Sequence, residues 1–232
     1  MPVNLISYKK INDELQKKNV TLVAVSKTKS SEEILQLYEL GQRDFGENYV
    51  QELTEKYEQL PKDIQWHFIG HLQSNKVKYI APFVSLIHSV ESLKLLKEIN
   101  KEGRKNDRII DCLLQVHIAK EETKFGLNED ELEELINTNC SNATDCTNVH
   151  IRGLMGMASF TDDMKKVREE FKFLKSLFDK YSKNTNENFD FPILSMGMSA
   201  DYSIAIEEGS NMVRIGSLLF GERSPLSPEG GT

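Results

Sequence analysis

Apolar, strand-like runs alternate with helix-period segments from one end of the chain to the other. Residues 5–16 read as a leading helix. Residues 20–25 form a β-rich run that ends at Ser26-Lys27. Ser30 and Glu33 make a capping box, and Ile34, Tyr38 and Gly41 lie on one side of the helix that follows. Residues 44–47 are a short second strand, leading into a helix that carries Val50, Leu53 and Tyr57 and stops at Pro61. A third strand over 64–69 closes on Gly70-His71, and a short helix covers about 74–80. Residues 84–88 are a fourth strand and 91–100 a helix. The longest strand candidate covers 108–118. Asn128 and Glu131 pair as caps before the helix containing Leu132, Leu135 and Ile136. Residues 149–155 are a sixth strand. Met164, Val167, Phe171, Leu174, Phe178 and Tyr181 then recur at steps of three and four, the clearest helix in the chain. Residues 139–148 and 183–188 read as polar surface loops, and 225–232 as a frayed tail.

The last two strand candidates differ from the others. An apolar run at Pro192, Ile193 and Leu194 breaks into a glycine-bearing turn over 195–199. Ser199 is placed as the N-cap of the helix that follows, with Asp201 in its first turn and Gly209 at its end. A second run over 212–215 enters Gly216-Ser217 directly. Two consecutive strand ends thus deliver glycine, serine and backbone N–H groups to one place. Amides at a helix start favour an anion, and in a (β/α)₈ barrel the phosphate site is often built by the loops after strands 7 and 8. Arg214 is the one strong charge inside the last strand. Each turn alone would be an ordinary glycine turn; two in tandem beside a strand arginine point to phosphate.

Eight strand candidates, each but the last followed by a clear helix, imply a parallel sheet. Their number predicts closure into a single (β/α)₈ TIM barrel with a leading N-terminal helix. An open doubly wound sheet is the alternative, and the lack of GxGxxG after the first strand counts against it. No shift in composition marks a second domain, so residues 1–232 read as one. The 232 residues, 39% hydrophobic and 28% charged, suit one sizeable core. A net charge of −7 without a basic tract argues against a nucleic-acid partner. No apolar run approaches the ~20 residues that span a membrane, and residues 1–10 lack the apolar core of a signal peptide. Cys112, Cys140 and Cys146 form no CxxC pair, which fits reduced thiols in a cytoplasmic setting. Cys140, Cys146 and His150 match no standard zinc spacing. No long apolar face is left over, which favours a monomer.

In a barrel, functional side chains project from the C-terminal strand ends. Those ends carry Lys27, Glu47-Asn48, Gly70-His71, His88, His117, Met155 and the tandem turns. Alternation puts Val23, Val25 and Lys27 on one face, so Lys27 rises from the barrel interior. Desolvation and the like charge of Lys29 would lower its pKa and favour the neutral amine. A neutral lysine beside a phosphate site is what attachment of pyridoxal 5′-phosphate (PLP) requires. A lysine snorkelling to water at a strand end fits the spacing equally well.

Seven segments bear on this choice: VAVSKTKS (23–30), FGENYVQE (45–52), WHFIGHLQSNKV (66–77), KFGL (124–127), IRGLMGMA (151–158), LSMGMSADYSIAI (194–206) and VRIGSLLFG (213–221). Together, over about residues 20 to 221, they closely resemble the pyridoxal phosphate homeostasis protein family, a single barrel related to the N-terminal barrel of alanine racemase. The resemblance implies that Lys27 carries PLP as an internal aldimine. It also implies that Ser199, Gly216 and Ser217 hold the phosphate and that Arg214 faces the pyridine nitrogen. Asn48 matches a position near the cofactor, though an N-cap role suits it as well; His71 could lie beside the ring or simply be bonded in its loop. Lys29 and Lys124 match lysines near the pocket, either secondary sites for the aldehyde or solvated lysines. His117 stands where the family usually has asparagine.

Arginine only donates hydrogen bonds, so at the ring nitrogen it would weaken PLP as an electron sink. Lys27 can serve one face of the cofactor, and nothing obvious in the sequence serves the other. The implied function is a PLP carrier and regulator in PLP homeostasis that hands the cofactor to PLP-requiring apoenzymes. The alternatives are a PLP-dependent amino-acid racemase, using Lys27 and a group such as His71, and a sugar-phosphate isomerase barrel without PLP.

Overall fold

A computed structural model describes residues 3–119, 125–140, 146–183 and 189–221. Lys124, much of both polar loops and the predicted tail lie outside these residues. The strands are β1 (Thr21–Val25), β2 (Asp44–Glu47), β3 (Gln65–Phe68), β4 (Leu86–Val90), β5 (Ile110–Val116), β6 (Val149–Gly156), β7 (Phe189–Met198) and β8 (Met212–Ile215). Each runs parallel to the next, and β8 pairs with β1 to close the barrel in chain order. Closure removes the open-sheet alternative. The helices are α1 (Leu5–Lys17), α2 (Ser31–Glu39), α3 (Val50–Gln59), α4 (Val77–Ile80), α5 (Leu93–Lys105), α6 (Glu129–Cys140), α7 (Met164–Tyr181), α8 (Tyr202–Glu207) and α9 (Ser217–Phe220).

Strand alternation sorts the core into two parts. Val23, Leu86, Leu113, Met155 and Met212 pack together inside the barrel. A larger cluster, including Ala24, Phe45, Trp66, Phe68, Ile87 and Phe171, fills the space between the strands and the helices. Burying each such side chain contributes about 1.5–3 kcal/mol. Two of the predicted caps form as the sequence indicates. Ser30 accepts from the Glu33 amide while Glu33 accepts from that of Ser30, and Asn128 and Glu131 exchange the same pair of bonds.

Several boundaries depart from expectation. β5 is shorter than the predicted 108–118, and β7, not β5, is the longest strand. Two further shifts move polar side chains into the barrel interior. β4 covers Leu86–Val90, because the Val84 amide bonds to Ile80 O and closes the α4 turn instead of starting a strand. His88 therefore sits in mid-strand, not at its end. α5 continues to Lys105, with Gly103 packed tightly against the Asn148 carbonyl. β7 extends through the predicted turn to Met198. Gly197 at φ +97° and a register shift between Ser195 and Met198 absorb the irregularity within the strand. Ser195 is consequently an interior strand residue.

Candidate functional site

The chain leaving β1 is held on both sides of Lys27. The Ser26 amide donates to Gly46 O at 3.0 Å, and the Ser26 hydroxyl donates to Glu47 Oε1 at 2.6 Å. Lys56 Nζ donates to the Ser26 carbonyl at 2.7 Å and pairs with Glu47 at 2.7 Å and Glu52 at 2.6 Å. Glu52 also accepts from the Thr28 amide at 2.6 Å. Thr28 sits at φ +62°, the left-handed region that non-glycine residues rarely occupy. Burial pushes the Glu47 carboxyl up to about 7, and the neighbouring Lys56 ammonium opposes this without cancelling it. A buried ion cluster behind the sheet thus fixes the backbone from which Lys27 projects.

The turns after β7 and β8 are joined directly. The Gly216 amide donates to Ser199 Oγ at 3.3 Å. Ser199 is not the helix cap expected of it: α8 begins at Tyr202, and Asp201 occupies the cap position while accepting from the Met198 amide at 2.6 Å. Freed from capping, the Ser199 hydroxyl bridges the two turns. A Cβ on Gly216 would meet Val25 at 3.3 Å, so the backbone passes close against β1. Lys29 Nζ donates to Phe220 O at 2.9 Å and lies 3.8 Å from Glu33, tying the end of α9 to the loop after β1.

Arg214 is buried inside the barrel, 4% exposed. Its Nη1 donates to Ser195 O at 2.9 Å and Ser195 Oγ at 2.7 Å, and its Nη2 donates to Gly156 O at 3.0 Å. Desolvation pushes its pKa down to about 10, partly offset by the Asp201 carboxylate. Three of the five N–H donors of the guanidinium are engaged in this way.

Lys27, Asn48, Ser199, Arg214, Gly216 and Ser217 all line one cavity of about 550 Å³ at the C-terminal strand ends. Six of the seven residues proposed from the sequence therefore share a site. Asn48 does not cap α3, whose cap position is Tyr49; its Oδ1 is buried with no hydrogen-bond partner among the described residues. His71 lies elsewhere. It lines a separate depression, pairs with Glu91 at 2.8 Å and stacks on Phe125 with ring centroids 4.5 Å apart. Lys29 lines the main cavity, whereas His117 is not among its lining residues.

Sequence reasoning gave no role to several other lining residues. Met157 to Asp162 follow β6 and form one wall, with Phe160 92% exposed at the mouth. Ser159 is fastened by two 2.7 Å bonds to Glu170. The signal was present in the GMAS run after β6, the counterpart of the other strand-end turns.

The fold and cavity define the class: a family profile described as "Alanine racemase, N-terminal domain" matches residues 7–224. An Aquifex aeolicus protein named "Pyridoxal phosphate homeostasis protein" is 43% identical over 203 residues, covering 87% of this chain and 86% of that protein. The chain belongs to the pyridoxal phosphate homeostasis protein family. The structure of PipY from Synechococcus elongatus PCC7942 with PLP bound superposes with a TM-score of 0.79 at 30% identity, covering 91% of this chain and 99% of that one. Alanine racemase of Clostridium difficile 630 shares the fold, with a TM-score of 0.73 at 15% identity, covering 97% of this chain but 60% of its own. Among the described residues no helix is long and apolar enough to cross a membrane.

Proposed function

We propose that this chain binds PLP in the cavity at the strand ends, holds it through Lys27, and acts in PLP homeostasis as a carrier. The observation that carries the reading is the meeting, in one cavity, of a lysine, two joined glycine-serine turns and a buried arginine. Its volume lies within the range of small-molecule sites. Asn48 lines the same cavity.

PLP when bound supplies an aldehyde open to an amine and a ring that takes up electron density. Lys27 presents the amine, on backbone fixed by Ser26 and Thr28. The Ser199 hydroxyl and the turns at Gly216 and Ser217 suit the phosphate, since the first amides of a helix lack partners within it. Arg214 can donate to a ring nitrogen but not give it a full proton readily, which keeps the electron sink weak.

The carrier reading is favoured over racemization by how three other charged groups of the cavity are engaged. Lys29 is tied to the Phe220 carbonyl, Asp201 to the Met198 amide, and Arg214 to Ser195 and Gly156. His71, the candidate acid for a racemase, pairs with Glu91 outside the cavity. PLP-requiring apoenzymes as recipients, a monomeric state and a cytoplasmic setting belong to the same proposal.

Titration of the protein with PLP tests it. Wild type should develop a visible absorbance band that Lys27→Ala lacks while keeping its circular dichroism spectrum. An unchanged band in Lys27→Ala would refute the role of Lys27. Exchange of an amino acid's α-hydrogen into deuterium oxide at enzyme-like rates would favour the racemase.

A further inference from the structure

Five polar side chains cross the barrel interior in one hydrogen-bonded line. Asp44 Oδ1 lies 3.0 Å from His67 Nε2, and His67 Nδ1 lies 2.9 Å from His88 Nε2. His88 Nδ1 lies 3.2 Å from Ser195 Oγ, which is 2.7 Å from Arg214 Nη1. β2, β3, β4, β7 and β8 supply one member each. His67, His88, Ser195 and Arg214 are all buried, whereas the Asp44 side chain is 34% exposed. Asp44 is the first residue of β2 and so lies at the end of the barrel away from the cavity.

Barrel interiors are ordinarily filled by branched apolar side chains, and a buried polar line is tolerable only when every member is satisfied. Here both ends impose the same direction. A guanidinium can only donate, so Ser195 Oγ accepts from Arg214. A carboxylate can only accept, so His67 donates from Nε2, and with one ring proton its Nδ1 is left as an acceptor. His88 then donates from Nε2, and its Nδ1 accepts the Ser195 hydroxyl proton. In this arrangement each link has one proton and each ring carries a single proton. Charging His88 is opposed by burial, by His67 and by Arg214.

We propose that Ser195, His88, His67 and Asp44 are positioning residues for Arg214: a hydrogen-bond chain of single direction fixes where the free donors of the guanidinium point in the cavity. The chain is a property of these side chains alone; its consequence for the cofactor rests on the PLP reading above.

Long-range proton–nitrogen correlation spectra of the histidine rings, taken on protein without PLP, read the tautomers directly. At pH 7 both His67 and His88 should be neutral with the proton on Nε2. A proton on Nδ1 of His88, or a charged ring there, overturns the proposal. Asp44→Asn retains an acceptor oxygen and should preserve both tautomers; Asp44→Ala should release them. Asp44→Ala should also weaken PLP binding about three- to tenfold and shift the pH midpoint of the bound cofactor's absorbance, with Asp44→Asn restoring most of both. If Asp44→Ala lowers only the melting temperature, leaving tautomers, affinity and midpoint as in wild type, the positioning role fails. A wild-type protein that bound no PLP would refute the PLP reading, and the tautomer spectra would still decide the chain.

Discussion

Lys56 Nζ lies 2.7 Å from Glu47 Oε1 and 2.7 Å from the Ser26 carbonyl, so a buried ammonium holds the residue next to Lys27 from behind the sheet. This contact links the stability of the barrel to the placement of Lys27.

Lys56→Met leaves the Glu47 carboxyl buried without its cation. Breaking one side of a buried ion pair costs about 3–5 kcal/mol. Denaturant unfolding should show a loss of that order, with Glu47→Gln/Lys56→Met recovering part of it. A Lys56→Met protein as stable as wild type would contradict the role assigned to the cluster.

The pH dependence of stability has two opposed contributions. Glu47 is raised from its ordinary 4.5 to about 7, so between those values the folded state binds more protons than the unfolded one. Its contribution therefore falls as pH rises through that window. His88 is held well below its ordinary 6.5 by burial, by the neighbouring His67 ring and by the Arg214 charge. Below 6.5 the unfolded state takes up the proton and the folded state does not, so this contribution is lost as pH falls. Unfolding free energy measured from pH 5 to 7.5 should rise more steeply with pH in Glu47→Gln than in wild type. It should rise less steeply in His88→Gln. Parallel curves for all three proteins would contradict both assignments.

Ser199→Ala removes the hydroxyl that joins the two turns to each other. The turns should remain, because α8 and α9 keep their backbone bonds, but their hold on an anion should loosen. One charge-assisted hydrogen bond is worth about 1.5–3 kcal/mol, or roughly tenfold or more in affinity. Equilibrium PLP binding should weaken by that much with the melting temperature nearly unchanged. Equal affinity would show that the bridge does not shape the anion site.

Two glycines with positive φ should respond very differently to alanine. At Gly153, φ +140°, an added Cβ would lie 1.8 Å from Ile193 O, a backbone atom that cannot swing aside. Gly153→Ala should cost more than about 3 kcal/mol and disturb the β6–β7 register that places Ser195 inside the barrel. At Gly41, φ +97°, nothing lies within 4 Å, so only backbone strain of about 1–2 kcal/mol remains. Thermal unfolding of the two variants separates these outcomes.

The regular alternation of strand and helix made the barrel legible, because each βα unit buries its own apolar stripe and closure follows from their number. The same alternation put Val23 on the interior face, where it packs with Leu86, Leu113, Met155 and Met212. Local pattern failed where distant elements meet. Glycine and serine in residues 195–199 read as a turn, yet pairing with β6 and β8 draws them into β7. Local sequence reads Ser199 as a cap because nothing near it reveals Gly216 beside it. His67 lies between Trp66 and Phe68, and His88 follows Ile87, so alternation already turned both histidines away from the outer core. That they meet each other, Ser195 and Arg214 depends on strands far apart in sequence. The Glu47–Lys56 pair likewise has no signature at its spacing.

The most direct test of the account is borohydride reduction of the PLP-loaded protein followed by peptide mapping. The account predicts a pyridoxyl group on Lys27, with Lys29 and Lys124 unlabelled or labelled only in trace. A pyridoxyl group recovered mainly on another lysine, with Lys27 unmodified, would contradict it.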